Sequence, residues 1–375
     1  MRLLVFFTTL FIGLFAYSQA PDIPIDSKLG ESIVFIKSEN KWGISLETTI
    51  FKPDGAGPFP IVLINHGSIG GNTRFQPRNR PMPAIREFLQ RGYAVIAPMR
   101  QGFSNSSGMR VWNGCNIGAE GDAQAADVIT VVDWLHKQPW ADTSRMIMMG
   151  LSHGGLTTLA YAKNPDAGFK VFVNFAGGSK NNSCAWELAL VAAYGEYGAQ
   201  TKDESIWFYG ENDSIFPSRV IAPAYDAYVK SGGRAKMIAF PAFNNDGHFM
   251  FFYYEGLSIW WKEVQARLDA AKMPVLIVNP QYARSQRPPK SNFAELHDFE
   301  KIPSVNDSNK SCYQRFLAAA KPRAIAFSAS GACDWSTSNE DPMQRAIQRC
   351  NQRGKGECKL YAVDDDVVWL EEIKY

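Results

Sequence analysis

From Glu31 to about Ala271, short apolar runs alternate with segments of helical spacing. "PIVLINHG", "YAVIAPMR", "RMIMMGLS", "FKVFVNFAGG", "SIWFYGEND" and "AKMIAFPAF" each hold four to eight apolar residues bounded by turn formers, and each predicts a buried strand. Between them, "PAIREFLQRG", "GDAQAADVITVVDWLHKQ", "GLTTLAYAKN", "WELALVAAYGEYG" and "APAYDAYVKSGG" predict helices, and "FFYYEGLSIWWKEVQARLDAA" predicts the last one. In the second of these, Ala126, Ile129, Val132 and Trp134 fall near one face. Strand then helix, repeated, with strands apolar on both faces, implies a mostly parallel sheet covered on both sides. The preceding "SIVFIKSENKWGISLETTIFKP" alternates polar and apolar residues, which predicts an antiparallel pair at the sheet edge.

The texture changes at Met273. "NPQYARSQRPPKSN" reads as a linker. A short helix, a strand, a second helix and a second strand follow ("SCYQRFLAAA", "RAIAFSAS", "MQRAIQRCNQR", "CKLYAVDDDVVW"). The expected fold class is α/β with a small C-terminal α+β domain. Its expected parts are residues 1–20 as a signal peptide, 21–272 as a catalytic domain, 273–309 as a linker and 310–375 as the small domain. The Asp364–Asp366 run reads as an acidic turn in solvent, with calcium as the alternative.

The first residues change where the chain is expected to work. Arg2 precedes an apolar run from Leu3 to Tyr17, and small residues stand at Ala16, Ser18 and Ala20. This is the three-part pattern of a secretory signal. The run is shorter than the ~20 residues that cross hydrocarbon. The protein is expected to be exported, periplasmic or secreted, without a stable membrane anchor. Export in turn changes how the six cysteines are read. An even count in an oxidising compartment favours disulfides, and the spacings hold no pair of CxxC motifs for zinc. Proximity pairs Cys350 with Cys358. If the chain has two domains, Cys115–Cys184 and Cys312–Cys333 remain. A net charge of +2 gives no basic excess for nucleic acid.

Candidate chemistry centres on Gly150-Leu151-Ser152-His153-Gly154, which fits G-x-S-x-G between a predicted strand and a predicted helix. A sharp turn there lifts the Ser152 hydroxyl above the sheet and aims the next backbone N–H at a developing oxyanion. A serine needs a base and an orienting acid. Asp213, in "YGENDSIFP", follows a later strand, with Glu211 as the competing acid. His248, in "FNNDGHFMFF", follows the last strand, and of five histidines it alone lies downstream in a loop after a strand. Asp246 is too close to it along the chain to orient it. His136 reads as a surface residue. The "NHGSIGG" turn after the first parallel strand supplies the second oxyanion donor from Gly67 or Ser68, with Ser68 preferred; His153 supplies the first.

"GLSHGG", "NHGSIGG", "GENDSIFP" and "DGHFMF" together resemble the dienelactone hydrolase branch of the α/β-hydrolases, as does "RGYAVIAPMRQGFSNSSG". The resemblance covers about Glu31 to Ala271 and implies an α/β-hydrolase fold with a Ser152–His248–Asp213 triad. That family often has a cysteine nucleophile where this chain has Ser152. The tail resembles a small domain appended to secreted bacterial proteins. The expected activity is hydrolysis of a small-molecule carboxylic ester of small or medium size through an acyl-enzyme, with no cofactor or metal. The loop from Gln101 to Gly121 and the stretch "GGSKNNSCAWELALVAAYGEYG" are expected to roof the pocket. The alternatives are a serine peptidase of the oligopeptidase type and a non-catalytic envelope binding protein. The short stretch before the first strand disfavours the oligopeptidase reading, whose members carry a large propeller upstream.

Overall fold

The computed structural model describes residues 23–164, 166–337, 340–354 and 356–370. The signal-peptide reading of residues 1–20 lies outside them. The large domain runs β1 (Glu31–Lys37), β2 (Ser45–Phe51), β3 (Phe59–Asn65), α1 (Met82–Gln90), β4 (Ala94–Pro98), α2 (Ile117–Leu135), β5 (Ala141–Leu151), α3 (His153–Tyr161), β6 (Phe169–Phe175), α4 (Trp186–Gln200), β7 (Ser205–Gly210), α5 (Ser218–Lys230), β8 (Ala235–Phe240) and α6 (Leu257–Ala270). Its eight strands lie in the order β1-β2-β4-β3-β5-β6-β7-β8. β1 and β2 pair antiparallel, β2 meets β4 antiparallel, and every pair from β4 to β8 is parallel.

The continuous apolar runs become the central strands because only there are both faces covered. Ile61–Ile64, Val95, Ile96 and Met146–Met149 are all 0% exposed. α1 meets α6 through Phe88 against Trp261, while α2 packs on α3 and α4. β8 closes one edge, and its positions are half-buried or exposed except for buried Phe240 at its end.

Two helices depart from the expected pattern. α2 starts at Ile117, because the Asn116 side chain caps it by accepting the Ala119 N–H. Ala125, Val128, Val131 and Leu135 are buried, as is the expected Val132, whereas Ala126, Ile129 and Trp134 are half-buried. The helix is wedged between α3 and α4, with Gly121 against Tyr197 and Leu156, so the small residues face the neighbours. At the other end of the domain, "FFYY" does not open the last helix. Residues Gly247–Phe252 form a 3-10 turn, and α6 begins only after Gly256. Phe251 stacks on Phe175 and packs at a tilt on Trp260, which holds the turn against the sheet.

The small domain comprises α7 (Asp307–Ala318), β9 (Ala324–Ser328), β10 (Cys333–Ser336), α8 (Pro342–Asn351), β11 (Cys358–Val363) and β12 (Asp366–Val367), with an antiparallel sheet in the order β10-β9-β11-β12. Phe293 and Phe299, in the stretch read as a linker, pack against Tyr361 and Tyr313 of its core. Disulfides join Cys312 to Cys333, Cys350 to Cys358 and Cys115 to Cys184, the three pairs expected. The carboxylates of Asp364, Asp365 and Asp366 are met by Arg287, Lys321 and Arg323, as a charged surface turn would be. Arg80 bridges buried Glu31 of the large domain and Glu340 of the small one, and Arg86 donates to Gln344. Among the described residues no helix is long and apolar enough to cross a membrane.

Candidate active site

Ser152 stands between the end of β5 and the start of α3, with φ 58° and ψ −124°. A non-glycine residue at positive φ is strained, and strain of this kind persists only where the surroundings over-determine it. Here they do. A Cβ on Gly150 would overlap the Gly154 carbonyl, and one on Gly154 would overlap the Asn65 carbonyl. The Ser152 N–H donates to Phe175 O at 2.9 Å, and its own carbonyl accepts from Gly155, Leu156 and Gly178. The glycines around Ser152 are therefore there for close backbone approach, which is why the motif places a serine among them.

Asp213 follows β7 and is buried. Its Oδ1 accepts the backbone N–H groups of Ile215 and Phe216, each at 2.8 Å, which fixes the carboxylate. His248 lies in the 3-10 turn after β8, with Nδ1 3.0 Å from Asp213 Oδ2. Asp246 does not orient the ring. It caps the turn instead, accepting the His248 N–H and the Ser214 hydroxyl. Glu211 is exposed. Phe216 packs on the His248 ring at 5.7 Å, and Phe251 of the same turn stacks on Phe175, whose carbonyl holds the Ser152 N–H. The turn carrying His248 thus sits at the end of the strand beside Ser152. Among the described residues, Ser152 Oγ makes no hydrogen bond to His248; such contacts tighten when substrate binds.

The expected oxyanion donors lie on two sides of the serine. The His153 N–H is in the first turn of α3, where a helix has no internal acceptor for it. Gly67 packs against Ser152: a Cβ there would stand 3.3 Å from the Ser152 Cβ. The Gly67 carbonyl is turned to His66 Nδ1 at 2.6 Å and to Gln76 Nε2 at 3.1 Å. In a trans peptide the next N–H points the opposite way. The Ser68 N–H is therefore directed away from His66 and Gln76, and it finds no acceptor among the described residues.

Around this loop lie side chains whose contacts the sequence reading did not foresee, among them Arg100 and Gln76. His66 Nε2 accepts the Arg100 N–H at 3.0 Å, so its proton sits on Nδ1 and the ring is neutral. Burial, reinforced by Arg100, holds His66 well below the usual imidazole range. The Arg100 guanidinium donates to the His66 carbonyl at 2.8 Å, and burial lowers it to about 9. His153 is pushed down to about 3, first by burial and then by Arg100 and Arg110. Gln76 pins the loop at a second point by accepting the Ile69 N–H. Arg100 and Gln76 could not be found by spacing, because each lies in a loop far along the chain from Ser152.

The two expected roof segments are joined by Cys115–Cys184 and by Asn181 Nδ2 donating to Gly114 O. Met109 and Trp112 on the first segment and Leu188 on the second are exposed. Their rim is more apolar than their glycine and serine content suggested.

The nucleophile turn follows β5, the acid follows β7 and the histidine follows β8 of a mostly parallel eight-stranded sheet. The chain has the α/β-hydrolase fold. Within this fold, the model of the X-Pro dipeptidyl-peptidase (S15) family matches residues 43–213. Dipeptidyl-peptidase 5 of Porphyromonas gingivalis is 33% identical over 155 residues, a stretch covering 39% of this chain and 20% of that protein's length. Among solved structures, an esterase from Pyrococcus furiosus is 14% identical with a TM-score of 0.48, covering 68% of this chain and 98% of that one. A Klebsiella pneumoniae protein assigned as a dienelactone hydrolase is 20% identical with a TM-score of 0.46, covering 64% and 98%.

Proposed function

We propose that the protein is an exported serine hydrolase that cleaves carboxylic esters of small or medium size. The observation that carries this reading is the buried His248–Asp213 pair at 3.0 Å beside a strained Ser152 turn. His248 Nε2 takes the Ser152 proton as Oγ attacks the ester carbonyl. Asp213 holds the ring with Nδ1 protonated and stabilises the imidazolium. The N–H groups of His153 and Ser68 receive the oxyanion. His248 then gives its proton to the leaving alkoxide. A water, deprotonated by the same ring, releases the acid and restores Ser152. The apolar N-terminal run and three disulfides support export.

A peptidase is the second reading, favoured by the S15 family match and the Porphyromonas relative. One experiment serves both. A fluorophosphonate probe is expected to label the wild type and not Ser152→Ala, and p-nitrophenyl butyrate is expected to turn over faster than Gly-Pro-p-nitroanilide. Absence of labelling would sink the hydrolase reading; the reverse substrate order would make the protein a peptidase.

A further inference from the structure

We propose that the small domain forms one wall of the subsite for the alcohol part of the ester, and that this part carries an aromatic ring. This rests on the hydrolase reading above and names the substrate class within it.

A cavity of about 270 Å³ lies at the seam of the two domains. Arg80 and Met82, around the start of α1, line one side, and Phe249, Phe252 and Tyr253, around the turn that carries His248, line another. Glu340 of the small domain completes the lining. The seam is fixed. Arg80 is buried and donates to Glu31 of the large domain at 2.8 Å and to Glu340 at 2.6 Å. Glu340 directly precedes Asp341, which caps α8 by accepting the Gln344 N–H at 3.0 Å. The Gln344 side chain accepts from Arg86 of α1 at 2.9 Å and donates to Asp26 at 3.1 Å. The wall that Glu340 forms is thus tied to the large domain at several points. Half of the lining side chains are aromatic and Met82 adds a thioether, while Arg80 and Glu340 spend their charge on each other and on Glu31. The rings are therefore what a ligand can use. Sites for small molecules favour domain junctions and are walled mainly by apolar and aromatic side chains. An apolar cavity of about 150 Å³ already holds a benzene, so this one has room for a single substituted ring.

Phe249 gives the cavity its place in the reaction. Its ring meets the His248 ring edge-on at 5.2 Å, and the same side chain lines the cavity. It is 42% exposed, a large apolar group left bare beside the general base. His248 must hand its proton to the leaving oxygen, so the alcohol part of the ester lies against His248. One ring, that of Phe249, separates this position from the cavity. An aromatic ring joined to the leaving oxygen by one carbon reaches past Phe249 and meets Phe252 and Tyr253, with Glu340 closing the far side.

The test compares the benzyl, cyclohexylmethyl and ethyl esters of butyric acid, whose leaving alcohols are all unactivated. For the full chain, kcat/KM on the benzyl ester is expected to exceed that on the ethyl ester about tenfold or more, and that on the cyclohexylmethyl ester about threefold, as for ring-on-ring contact beyond simple burial. Tyr253→Ala, from the large domain, and Glu340→Ala, from the small one, should each lower the benzyl-to-ethyl ratio at least about threefold. Glu340→Gln keeps the shape of the wall and should hold most of the ratio. A benzyl ester cleaved no better than either of the others overturns the proposal. So does a ratio that stays at the wild-type value in Glu340→Ala, which would take the small domain out of the subsite, or a loss in both alanine variants that is equal for benzyl and ethyl esters. If no ester turns over, the ester-hydrolase reading falls. The subsite is then decided by benzyl alcohol in saturation-transfer NMR, which should show contact with the wild type and weaker contact with Tyr253→Ala and Glu340→Ala; no transfer from the wild type rejects it.

Discussion

Around β3, β4 and β5 the large domain buries whole strands between two layers of helices, and its one disulfide lies outside that core, between two loops at the site. In the small domain the helices are themselves bolted to the sheet: Cys312 ties α7 to β10, and Cys350 ties α8 to β11. A unit of this size buries too little surface to be held by packing alone. Chain entropy assigns about 3 kcal/mol to the bridge spanning 21 residues and about 2.5 kcal/mol to the one spanning 8. By the same rule Cys115–Cys184, which spans 69 residues, is assigned about 4 kcal/mol, so that bond is structural too and in addition joins the two loops at the site.

Four measurements sharpen or break this contrast. The largest effect is expected at the nucleophile. Ser152→Ala and His248→Ala should each lower kcat/KM on p-nitrophenyl butyrate at least about a thousandfold while both domains stay folded. Asp213→Asn should act similarly; wild-type turnover there, with loss in Glu211→Gln, would move the acid to Glu211. Second, Cys312→Ala/Cys333→Ala should weaken the small domain by about 3 kcal/mol. Calorimetry should show its transition moving down and separating from that of the large domain, and a single concerted shift would contradict the division drawn above.

The third effect is on stability against pH. His66 and His153 are both held below their unfolded value of 6.5 by burial. The unfolded chain takes up a proton there that the folded chain refuses. Stability conferred by these rings is thus complete above pH 6.5 and is lost as pH falls below it, for His153 down to about 3 at about 1.4 kcal/mol per pH unit. Denaturant titrations from pH 7 to 4 should show this slope, and His153→Gln should remove one ring's share of it. An unchanged slope in that variant would place the acid sensitivity elsewhere. The smallest effect is expected at the roof. Cys115→Ser/Cys184→Ser should raise KM by about three- to tenfold with a smaller change in kcat, since it loosens positioning rather than chemistry. A change in kcat alone would argue that the bridge acts on the Ser152 turn.

Much of the large domain could be read from the sequence because its signals are local. A continuous apolar run must be a covered strand, and a serine among glycines at a strand end must be a tight turn. Asp213 and His248 could be found because the order of acid and histidine along the chain is tied to the order of strands. Of the face expected for α2, Val132 is buried while Ala126, Ile129 and Trp134 are half-buried, since its burial is set by α3 and α4 on either side rather than by one stripe. The last helix was expected too early: the aromatic run at 251–254 anchors a turn, which apolar content alone cannot distinguish from a helix. Arg110 and Glu120 meet across a loop and a helix start, and Gln76 holds Gly67 from nine residues away. Such contacts exist only once the chain is folded.

The bond between Cys115 and Cys184 closes a ring of chain that contains β5, Ser152, α3 and β6, and Arg110 lies just outside its first cysteine. In a reducing compartment that ring is open. The Ser152 turn can still form there, since glycines and the sheet shape it, but the segment bearing Arg110 is unmoored from the segment bearing Ser179. Reduction of that one bond is therefore expected to free the two loops from each other while the Ser152 turn keeps its shape.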